Sequence, residues 1–418
     1  MNPSLYAVRP GTLGLTSLNG ATRASVAVIG AGLTGISAAL HLAESGHDVV
    51  VLDAHEVGWG ASGRNGGQIN PGLKTTPEQV MQDFGPERGD VLVRRAWGAP
   101  DLVFDLAARH EIACNAVRGG TIRAATAESQ MAPLEALARQ CQALGNPATV
   151  LSREAIALRS GTTLYHGGMI DPMGGQLDPL AYTRGLARAA LKAGATIYEH
   201  SAVTALERDG EEWRLSTPGG TVRARQVICA TNGYSGHVTG RLRRSIIPVF
   251  SAIVASAPLP QNLRETLLTR RESLYELGEI TTYYRVDAEG RLLMGGRSAS
   301  HELRGAAAFP YLIARAEKLW PAIAGQKWEA GWNGQLALTM DHYPHLHRPE
   351  PGLIACLGYN GRGVAMATLM GLNLAEMAQG GASLFPETRI RPIPFHFAWK
   401  AGVLAGIAKG RIRDRLRR

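Results

Sequence analysis

Cysteine is scarce in this sequence, and the few cysteines lie far apart. The 418 residues include only Cys114, Cys141, Cys229 and Cys356, and the closest pair is 27 residues apart. No C-x-x-C motif occurs, so the sequence predicts neither a zinc site nor a redox disulfide, and we expect no metal. Sparse cysteines of this kind fit a reducing compartment such as the cytoplasm.

Aromatic and charged residues are also few. They make up 6 % and 19 % of the chain, against 45 % hydrophobic residues, and the 50 glycines follow no three-residue period. A disordered chain would carry more charge, and collagen would need the glycine repeat. The composition therefore predicts a globular protein of about two domains. A glycine excess with few aromatics fits an α/β enzyme with many tight turns near ligands.

Long hydrophobic runs are missing as well. Residues 24–43 carry no formal charge over the length of a membrane span, but they contain three glycines, Thr34, Ser37 and His41. This composition predicts a buried strand, a tight turn and a buried helix in series. Arg9 is followed by the mixed sequence GTLGLTSLNG rather than an apolar core, so we expect no signal peptide.

Positive charge is concentrated at the C-terminus. The net charge is +9, and residues 409–418 alone hold six cations and one anion. We interpret this basic tail as a solvated last helix, with weak contact to an anionic membrane surface as the alternative. Basic and aromatic residues do not alternate as nucleic-acid binding would favour, so we expect no nucleic-acid partner.

A strand–turn–helix–strand pattern opens the body of the chain. Residues 26–29 form an apolar run of strand type, and apolar residues recur at helical spacing over residues 33–45. Residues 48–52 then form a second strand that is apolar throughout, as expected when both sheet faces are covered. The pattern predicts a βαβ unit.

The turn of this unit reads Gly30-Ala-Gly32-Leu-Thr-Gly35, a G-x-G-x-x-G motif. Gly30 permits the tight turn, Gly32 lets the backbone approach a pyrophosphate, and Gly35 lets the helix lie close to the sheet. Asp53 follows the second strand, where a carboxylate accepts hydrogen bonds from ribose hydroxyls and disfavours a 2′-phosphate. The motif therefore predicts a dinucleotide site.

Similar segments recur later in the chain. We predict a helix over residues 178–194, strands over 195–198, 222–230 and 353–357, and a helix over 364–378. Residues 78–150 look mostly helical, whereas residues 236–335 look rich in strands. The nucleotide-binding segments are therefore interrupted by insertions.

A second match to the glycine pattern begins at Gly58. No apolar strand precedes it and no apolar helix follows it, so it predicts no second nucleotide fold and counts against reductases with separate flavin and nicotinamide sites. It belongs to the run G-W-G-A-S-G-R-N-G-G-Q, which ends at Gln68. Such a loop can lay backbone N–H groups against phosphates and a flat heterocycle, which favours FAD over NAD.

This run resembles that of FAD-dependent oxidoreductases of the D-amino-acid-oxidase type, and it is most similar to the γ-glutamylputrescine oxidase group. Segments at 227–234, 291–297, 339–345 and 358–364 are similar too. The resemblance implies an α/β (α+β) fold in which a Rossmann-like FAD-binding domain carries an inserted substrate domain on an antiparallel or mixed β-sheet. We assign residues 1–80, 151–235 and 336–418 to the FAD-binding domain, and residues 81–150 and 236–335 to the substrate-binding domain.

The resemblance also implies non-covalently bound FAD. Asp53 would hold the adenosine ribose, Val203 would contact adenine through its backbone, and residues 358–363 would meet the flavin ring. Arg362 departs from the family, which often has His there. The full set of expected cofactor-binding residues is Gly30, Gly32, Leu33, Thr34, Gly35, Asp53, Ala54, Gly60, Ala61, Ser62, Arg64, Asn65, Gly66, Gly67, Gln68, Val203, Ala230, Thr231, Asn232, Gly358, Tyr359, Asn360, Gly361, Arg362, Gly363 and Val364.

The activity implied by the resemblance is oxidation of a C–N bond in a small amine or amino acid. Hydride would pass from the carbon beside nitrogen to the flavin, and the imine would hydrolyse to an aldehyde or keto acid. The expected substrates are γ-glutamylputrescine-like amines, N-alkyl amino acids or D-amino acids. Reoxidation by O₂, giving peroxide, and reoxidation by a quinone or another acceptor both remain open.

The substrate side offers weaker signals. Tyr283 and Tyr284 are neighbours in a predicted strand, so only one can face a pocket, and we take Tyr284 as the catalytic candidate. Arg297 could hold a carboxylate or form a salt bridge at a strand end. His345 could act as a base, although a packing role is the alternative, as it is for His166.

Three other functions stay open at this point. A nicotinamide-dependent dehydrogenase could use the same first βαβ unit. A membrane-associated, quinone-linked amino-acid dehydrogenase would give the basic tail a role. A non-enzymatic scaffold that holds FAD is the third.

Overall fold

The computed structural model describes residues 4–8, 11–236, 238–298 and 300–416. Most of its strands belong to two large sheets. In chain order the strands are β1 (Gly20–Ile29), β2 (Val49–Leu52), β3 (Gln68–Ile69), β4 (Thr121–Ala125), β5 (Thr149–Leu151), β6 (Gly167–Asp171), β7 (Gly175–Gln176), β8 (Thr196–Tyr198), β9 (Ala205–Asp209), β10 (Glu212–Thr217), β11 (Gly220–Cys229), β12 (Ile247–Pro258), β13 (Ser273–Glu276), β14 (Tyr283–Val286), β15 (Arg291–Arg297), β16 (Trp328–Leu338), β17 (His345–Glu350) and β18 (Leu353–Leu357).

Helices connect and cover these sheets. In chain order they are α1 (Leu33–Glu44), α2 (Pro77–Phe84), α3 (Pro86–Trp97), α4 (Ala99–Arg109), α5 (Met131–Ala143), α6 (Arg153–Ser160), α7 (Pro179–Lys192), α8 (Gly240–Arg244), α9 (Gln261–Arg264), α10 (Pro310–Leu319), α11 (Gly363–Ala378) and α12 (Trp399–Leu416). Among the residues in these described ranges, no helix is long and apolar enough to cross a membrane.

The first sheet is parallel at its centre. Its order is β17-β18-β11-β1-β2-β8, and the hairpin of β9 and β10 extends β11. Strands β18, β11, β1, β2 and β8 pair in parallel, and all four residues of β2 are buried. The predicted βαβ unit is confirmed, and apolar β2 lies between covered faces as its composition required.

The second sheet is mostly antiparallel. Its order is β16-β12-β15-β14-β13-β4-β6-β5, with one parallel pair between β13 and β4. The predicted fold class, a mixed α/β architecture with an antiparallel or mixed second sheet, is confirmed. Strand β6 belongs to this second sheet, although it lies within residues 151–235, which we assign to the cofactor domain. The exact domain boundaries stay a prediction.

Helices α1 and α11 pack together on the first sheet. Gly371 makes the approach possible, because a Cβ atom there would lie 2.5 Å from Ser37 Cβ and 2.6 Å from Thr34 O. The Ser37 hydroxyl donates to Thr368 O at 2.8 Å, and the Tyr359 hydroxyl lies 2.6 Å from Thr34 Oγ1. The N-termini of both helices therefore lie on one side of the sheet.

The predicted last helix is present as α12. Its residues are mainly exposed, and its C-terminal part is held by Asp414, whose carboxylate accepts from the backbone N–H groups of Glu279 and Ile280 at 2.9 and 3.0 Å. Arg417 and Arg418 of the predicted tail lie outside the described residues.

Candidate active site

A cavity of about 490 Å³ opens between the two sheets, beside the N-termini of α1 and α11. This size is typical of small-molecule and cofactor sites. Most of the predicted cofactor residues line it: Gly30, Gly32, Leu33, Thr34, Asp53, Ala54, Gly60, Ala61, Ser62, Arg64, Asn65, Gly66, Gln68, Val203, Ala230, Thr231, Asn232, Tyr359, Asn360, Gly361, Gly363 and Val364.

The first glycine turn forms one end of the cavity. Gly30 has φ of 106°, and a Cβ there would lie 3.1 Å from Ala230 O. A Cβ on Gly35 would overlap Gly30 O, so this glycine lets α1 start directly against the turn. The backbone N–H of Leu33, at the start of α1, donates to Ser62 Oγ at 2.9 Å.

Asp53 lies beside this turn at the end of β2. Its Oδ2 accepts from the N–H of Ala31 at 2.6 Å, and its Oδ1 accepts from the N–H of His55 at 2.8 Å. Burial raises the pKa of Asp53 to about 6, although the two N–H donors act in the opposite direction. A ligand hydroxyl that donates to Asp53 would favour its ionised form.

The glycine-rich loop at residues 58–68 is held by its own side chains. Asn65 Nδ2 donates to Ser62 O at 2.9 Å and to Ala61 O at 3.1 Å, and Asn65 Oδ1 accepts from Gly67 N at 2.8 Å. The Arg64 guanidinium stacks over Trp59 at 4.2 Å and donates to Glu302 Oε1 at 2.9 Å. The loop therefore keeps its shape through hydrogen bonds inside the protein.

The second glycine turn, at residues 358–363, forms another wall. Asn360 adopts φ of 51°, and its side chain accepts from Thr339 N at 3.0 Å and donates to Gly358 O at 2.6 Å. Cβ atoms on Gly361 or Gly363 would meet nothing within 4 Å, so this backbone borders open space. Helix α11 begins there and directs its N-terminal end toward the cavity.

Four predicted cofactor residues do not line the cavity. Gly35, Gly67 and Gly358 instead shape the turns that do. Arg362 is a correction to the expectation, because its side chain points away from the cavity. Its guanidinium is buried and donates to Tyr275 Oη at 2.9 Å and to Pro71 O at 3.3 Å.

The choice between the two neighbouring tyrosines also needs correction. Tyr284 is fully buried in the core of the second sheet, where its hydroxyl lies 3.1 Å from that of Tyr165, and burial raises its pKa. Tyr283 lines the cavity, with its hydroxyl 2.8 Å from Ser251 Oγ. Strand alternation permitted only one of the two at the cavity, and that one is Tyr283.

The other two substrate-side candidates lie away from the cavity walls. Arg297, at the end of β15, is half-buried, and burial lowers its pKa while the nearby Tyr283 opposes that effect. No carboxylate of the described ranges forms an ion pair with it. His345 Nε2 lies 3.0 Å from both carboxylate oxygens of Asp341, which gives it a structural partner instead of a catalytic position. His166 pairs with Arg153 at 3.1 Å, also outside the cavity.

Several residues that line the cavity were not predicted from the sequence. Trp59 and Tyr234 form an edge-to-face pair at 5.4 Å, and Ser251, Gly334 and Leu336 come from the second sheet. Trp59 and Tyr234 lie inside motifs that carried the family resemblance, so those motifs could have identified them. Strand pairing alone brings Ser251 and Gly334 together, through the register of β12 and β16.

The residues present fit FAD. The cavity joins two helix N-termini, a carboxylate at the end of β2, and bare backbone at Gly361 and Gly363. Helix N-termini offer unpaired N–H groups to phosphates, and the open backbone leaves room for a flat ring. Asp53, Ser62 and Asn65 line this cavity.

Comparison with known proteins gives relatives that span nearly the whole chain. The chain is 30 % identical to a gamma-glutamylputrescine oxidoreductase of Escherichia coli over 409 residues, which is 96 % of this chain and 95 % of the relative. It is 31 % identical to a probable oxidoreductase, OrdL, of Haemophilus influenzae over 365 residues, 85 % of this chain and 83 % of the relative.

Solved structures share the fold. A glycine oxidase from Geobacillus kaustophilus superimposes with a TM-score of 0.72 at 26 % identity, covering 87 % of this chain and 96 % of the other. The family model described as FAD dependent oxidoreductase (DAO) matches residues 25–377. The expectation of FAD is confirmed, and the nicotinamide alternative is not retained. The chain belongs to the DAO family of FAD-dependent oxidoreductases.

Proposed function

We propose that this enzyme oxidises a C–N bond in a small amine or amino acid. The cavity between the sheets carries the proposal, because it joins the cofactor turns to side chains of the second sheet. The relatives support it, since a gamma-glutamylputrescine oxidoreductase and a glycine oxidase are among them. FAD, when bound, supplies the hydride acceptor.

We assign the cofactor contacts to the first sheet and its loops. Asp53 would accept from the adenosine ribose, and Val203 would contact adenine through its backbone. The N-terminus of α1 with Ser62 would meet the pyrophosphate, and the N-terminus of α11 would face the flavin ring. The positive end of α11 favours negative charge, so it would stabilise electron uptake at the ring.

The described residues at the substrate end of the cavity include no strong base. Among the described lining residues the carboxylate is Asp53 and the imidazole is His55, and both lie at the first turn. An alcohol would need a base for its hydroxyl proton, whereas a neutral amine would not. The C–H bond beside nitrogen would break with its electron pair leaving as hydride, and the nitrogen lone pair would form the C=N bond that water later hydrolyses.

Anaerobic bleaching of the flavin by candidate substrates tests this proposal. The panel should contain γ-glutamylated polyamines, N-methylated amino acids, D-amino acids and cyclic imino acids, with the matching alcohols as controls. We expect at least one amine to bleach the flavin and no alcohol to do so. Failure of the whole panel would overturn the proposal. The same failure would favour the FAD-binding scaffold.

We leave the electron acceptor as two alternatives. Peroxide release in air would identify an oxidase, with O₂ as acceptor. Turnover only with a quinone or a dye would identify a dehydrogenase. Both readings use the same bleaching assay, with air admitted after the flavin is reduced.

We further propose that the enzyme is cytoplasmic and that its basic C-terminal tail, together with residues 395–397 before α12, makes weak contact with an anionic membrane surface. Phe395 and Phe397 are 78 % and 86 % exposed, and they lie beside the exposed cations Arg243 and Arg244. Aromatic rings near cations suit the interface of an anionic bilayer.

Vesicle sedimentation tests the membrane contact. The protein should sediment with vesicles that contain anionic phosphatidylglycerol and remain in solution with neutral phosphatidylcholine alone. A Phe395→Ser, Phe397→Ser double variant should lose most of the sedimentation, while Leu158→Ser, a change at another exposed apolar residue, should retain it. Equal sedimentation of both variants would contradict the assignment to this segment.

A further inference from the structure

A buried arginine lies against the glycine-rich loop of the cofactor cavity. Arg285 belongs to β14, and strand alternation places it on the same face of the sheet as Tyr283, which lines the cavity. Arg285 is only 3 % exposed. Its Nε donates to Gly66 O at 2.5 Å, and Gly66 is itself a lining residue. The guanidinium therefore contacts the cavity wall without entering the cavity.

The next residue of the loop allows this close contact. Gly67 adopts φ of 68°, and a Cβ atom there would overlap Leu177 O and lie 2.8 Å from Arg285 Nη2. A side chain at this position would push the guanidinium away from the loop. Glycine at 67 therefore makes room for Arg285 as well as for the turn.

The other two hydrogen-bond partners of Arg285 are neutral. Its Nη1 donates to Gln176 Oε1 at 2.8 Å, and its Nη2 donates to Tyr6 Oη at 3.1 Å. Burial raises the pKa of Tyr6 to about 12, although Arg285 opposes this, so the hydroxyl stays protonated and uncharged near neutral pH. In the described part of the chain, no carboxylate forms an ion pair with Arg285.

The charged groups near Arg285 do not balance it. Burial raises the pKa of Asp287 and Arg285 opposes this, yet the ion pair of Asp287 is with Arg291, at 3.6 Å between Oδ2 and Nη1. Asp178 caps α7, where its Oδ1 accepts from two backbone N–H groups. Arg271 adds a second positive charge, and burial followed by the charge of Arg285 lowers its pKa. The loop therefore has excess positive charge behind it.

The N-terminal segment shields this charge from water. Tyr6 belongs to a single turn of 3₁₀-helix, Leu5–Val8, and is 2 % exposed. Its ring packs edge-to-face on Trp332, with the ring centres 5.5 Å apart. A charge without surrounding water acts more strongly on its neighbours. The field of Arg285 therefore extends into the cavity more strongly than that of an exposed arginine would.

Gly66 lies where the cofactor side of the cavity meets the substrate side. A Cβ atom on Gly66 would lie 2.7 Å from Tyr283 Cε2, and Tyr283 belongs to the second sheet. Asp53, which we assign to the adenosine ribose, lies at the first glycine turn instead. Because the flavin ring has to meet the substrate, we assign the ring to the end of the cavity at Gly66.

We propose that Arg285 raises the reduction potential of bound FAD, because it holds a positive charge without an acid partner behind Gly66. A positive charge near the ring favours the electron-rich reduced form over the oxidised form. Arg285 is thus a positioning residue that acts through the loop and through its charge. The inference concerns the cofactor, so it holds for any amine that the enzyme oxidises.

Redox titration of the FAD-loaded protein tests the inference without a substrate. Dithionite supplies the electrons, and a dye of known potential reports the equilibrium. In Arg285→Gln we expect the ratio of reduced to oxidised FAD at a fixed potential to fall about tenfold, which lowers the two-electron midpoint potential by about 30 mV. A wild-type midpoint potential in this variant would overturn the inference.

Gln176→Glu separates the charge of Arg285 from its support of the loop. This variant keeps the acceptor for Nη1 and the bond to Gly66, but it adds a negative charge beside the guanidinium. We expect its midpoint potential at pH 8 to fall as in Arg285→Gln. A shift in Arg285→Gln alone would show that Arg285 only supports the loop, which contradicts the inference. If Arg285→Gln is purified without FAD, the result for Gln176→Glu decides.

Tyr6→Phe is the matched control. It removes one acceptor of Arg285 and leaves the positive charge in place. We expect the thermal midpoint of the cofactor-free protein to fall by about 2 °C, and the ratio of reduced to oxidised FAD to stay within about twofold of wild type. A tenfold change in that ratio would contradict the assignment to charge. Failure of the amine panel would leave these potentials unaffected, and wild-type potentials in all variants would leave amine oxidation standing.

Discussion

The two ends of the cavity are built in different ways. At the cofactor end, short continuous runs supply the walls, chiefly residues 30–35, 58–68 and 358–364. At the substrate end, single residues from separate strands meet, such as Ser251 of β12 and Tyr283 of β14. The cofactor end therefore depends on local sequence, whereas the substrate end depends on strand pairing.

The chemistry of the two ends differs accordingly. Glycines and helix N-termini present backbone groups at the cofactor end, so adding a Cβ atom there does the most damage. The substrate end presents side chains, and their polar atoms decide what is bound. Four tests, at Gly35, at Asp53, at the tyrosine pair and at His345, can break or sharpen this comparison.

The largest effect is expected for Gly35→Ala. The added Cβ would overlap Gly30 O, so α1 must shift away from the turn. We expect a loss of stability of about 3 kcal/mol and purification without FAD. Thermal unfolding and flavin absorbance measure both effects. Gly402→Ala, where a Cβ meets nothing within 4 Å in the exposed helix α12, should retain FAD and full stability.

FAD affinity should depend on pH through Asp53. Its pKa of about 6 in the cofactor-free protein lies above the ordinary value, so this carboxyl is largely protonated at pH 5 and ionised at pH 7. Hydroxyl donors bind the ionised form more strongly, so the dissociation constant of FAD should fall about tenfold as pH rises from 5 to 7. Flavin fluorescence measures it.

The same shift has a consequence for stability. Because the folded pKa of Asp53 is raised, its contribution to the stability of the cofactor-free protein is full below the unfolded value and is lost as pH rises through about 6. Asp53→Asn should remove this residue's contribution to both pH dependences. An unchanged slope of FAD affinity in this variant would show that another group titrates.

Tyr283→Phe and Tyr284→Phe should separate function from stability. Tyr283→Phe removes a hydroxyl at the cavity and should lower kcat/KM about fivefold at nearly constant stability. Tyr284→Phe removes a buried hydroxyl bonded to Tyr165 and should cost about 1 kcal/mol of stability while leaving kcat/KM unchanged. A loss of kcat/KM in Tyr284→Phe but not in Tyr283→Phe would instead indicate that Tyr284 acts in the active site.

The smallest effect is expected for His345→Gln. This residue pairs with exposed Asp341 and lies outside the cavity walls. We expect kcat/KM to change less than about twofold and stability to change by about 0.5 kcal/mol, as for a surface pair. A large drop in kcat with a new pH profile would instead make His345 a base.

The sequence predicted the cofactor side well because its signals are local. Apolar periodicity, the glycines at 30, 32 and 35 and the acid at 53 lie within one βαβ unit, and the structure has that unit. The outcome at Tyr284 was different, since alternation shows that neighbours face opposite sides without showing which side holds the cavity. The Arg362 side chain points away from the cavity because it donates hydrogen bonds to Tyr275 and Pro71, which are distant in sequence.

The contact of α1 with α11 through Gly371 fixes the span between the two ends of the cofactor site. Ser37 and Thr34 on one helix and Thr368 and Tyr359 on the other side hold the helices as one unit. The helix pair therefore keeps the N-termini of α1 and α11 at a fixed separation. A shorter flavin such as FMN would contact only one of the two helix ends. It would therefore lack the added affinity that comes from joining two contacts in one molecule.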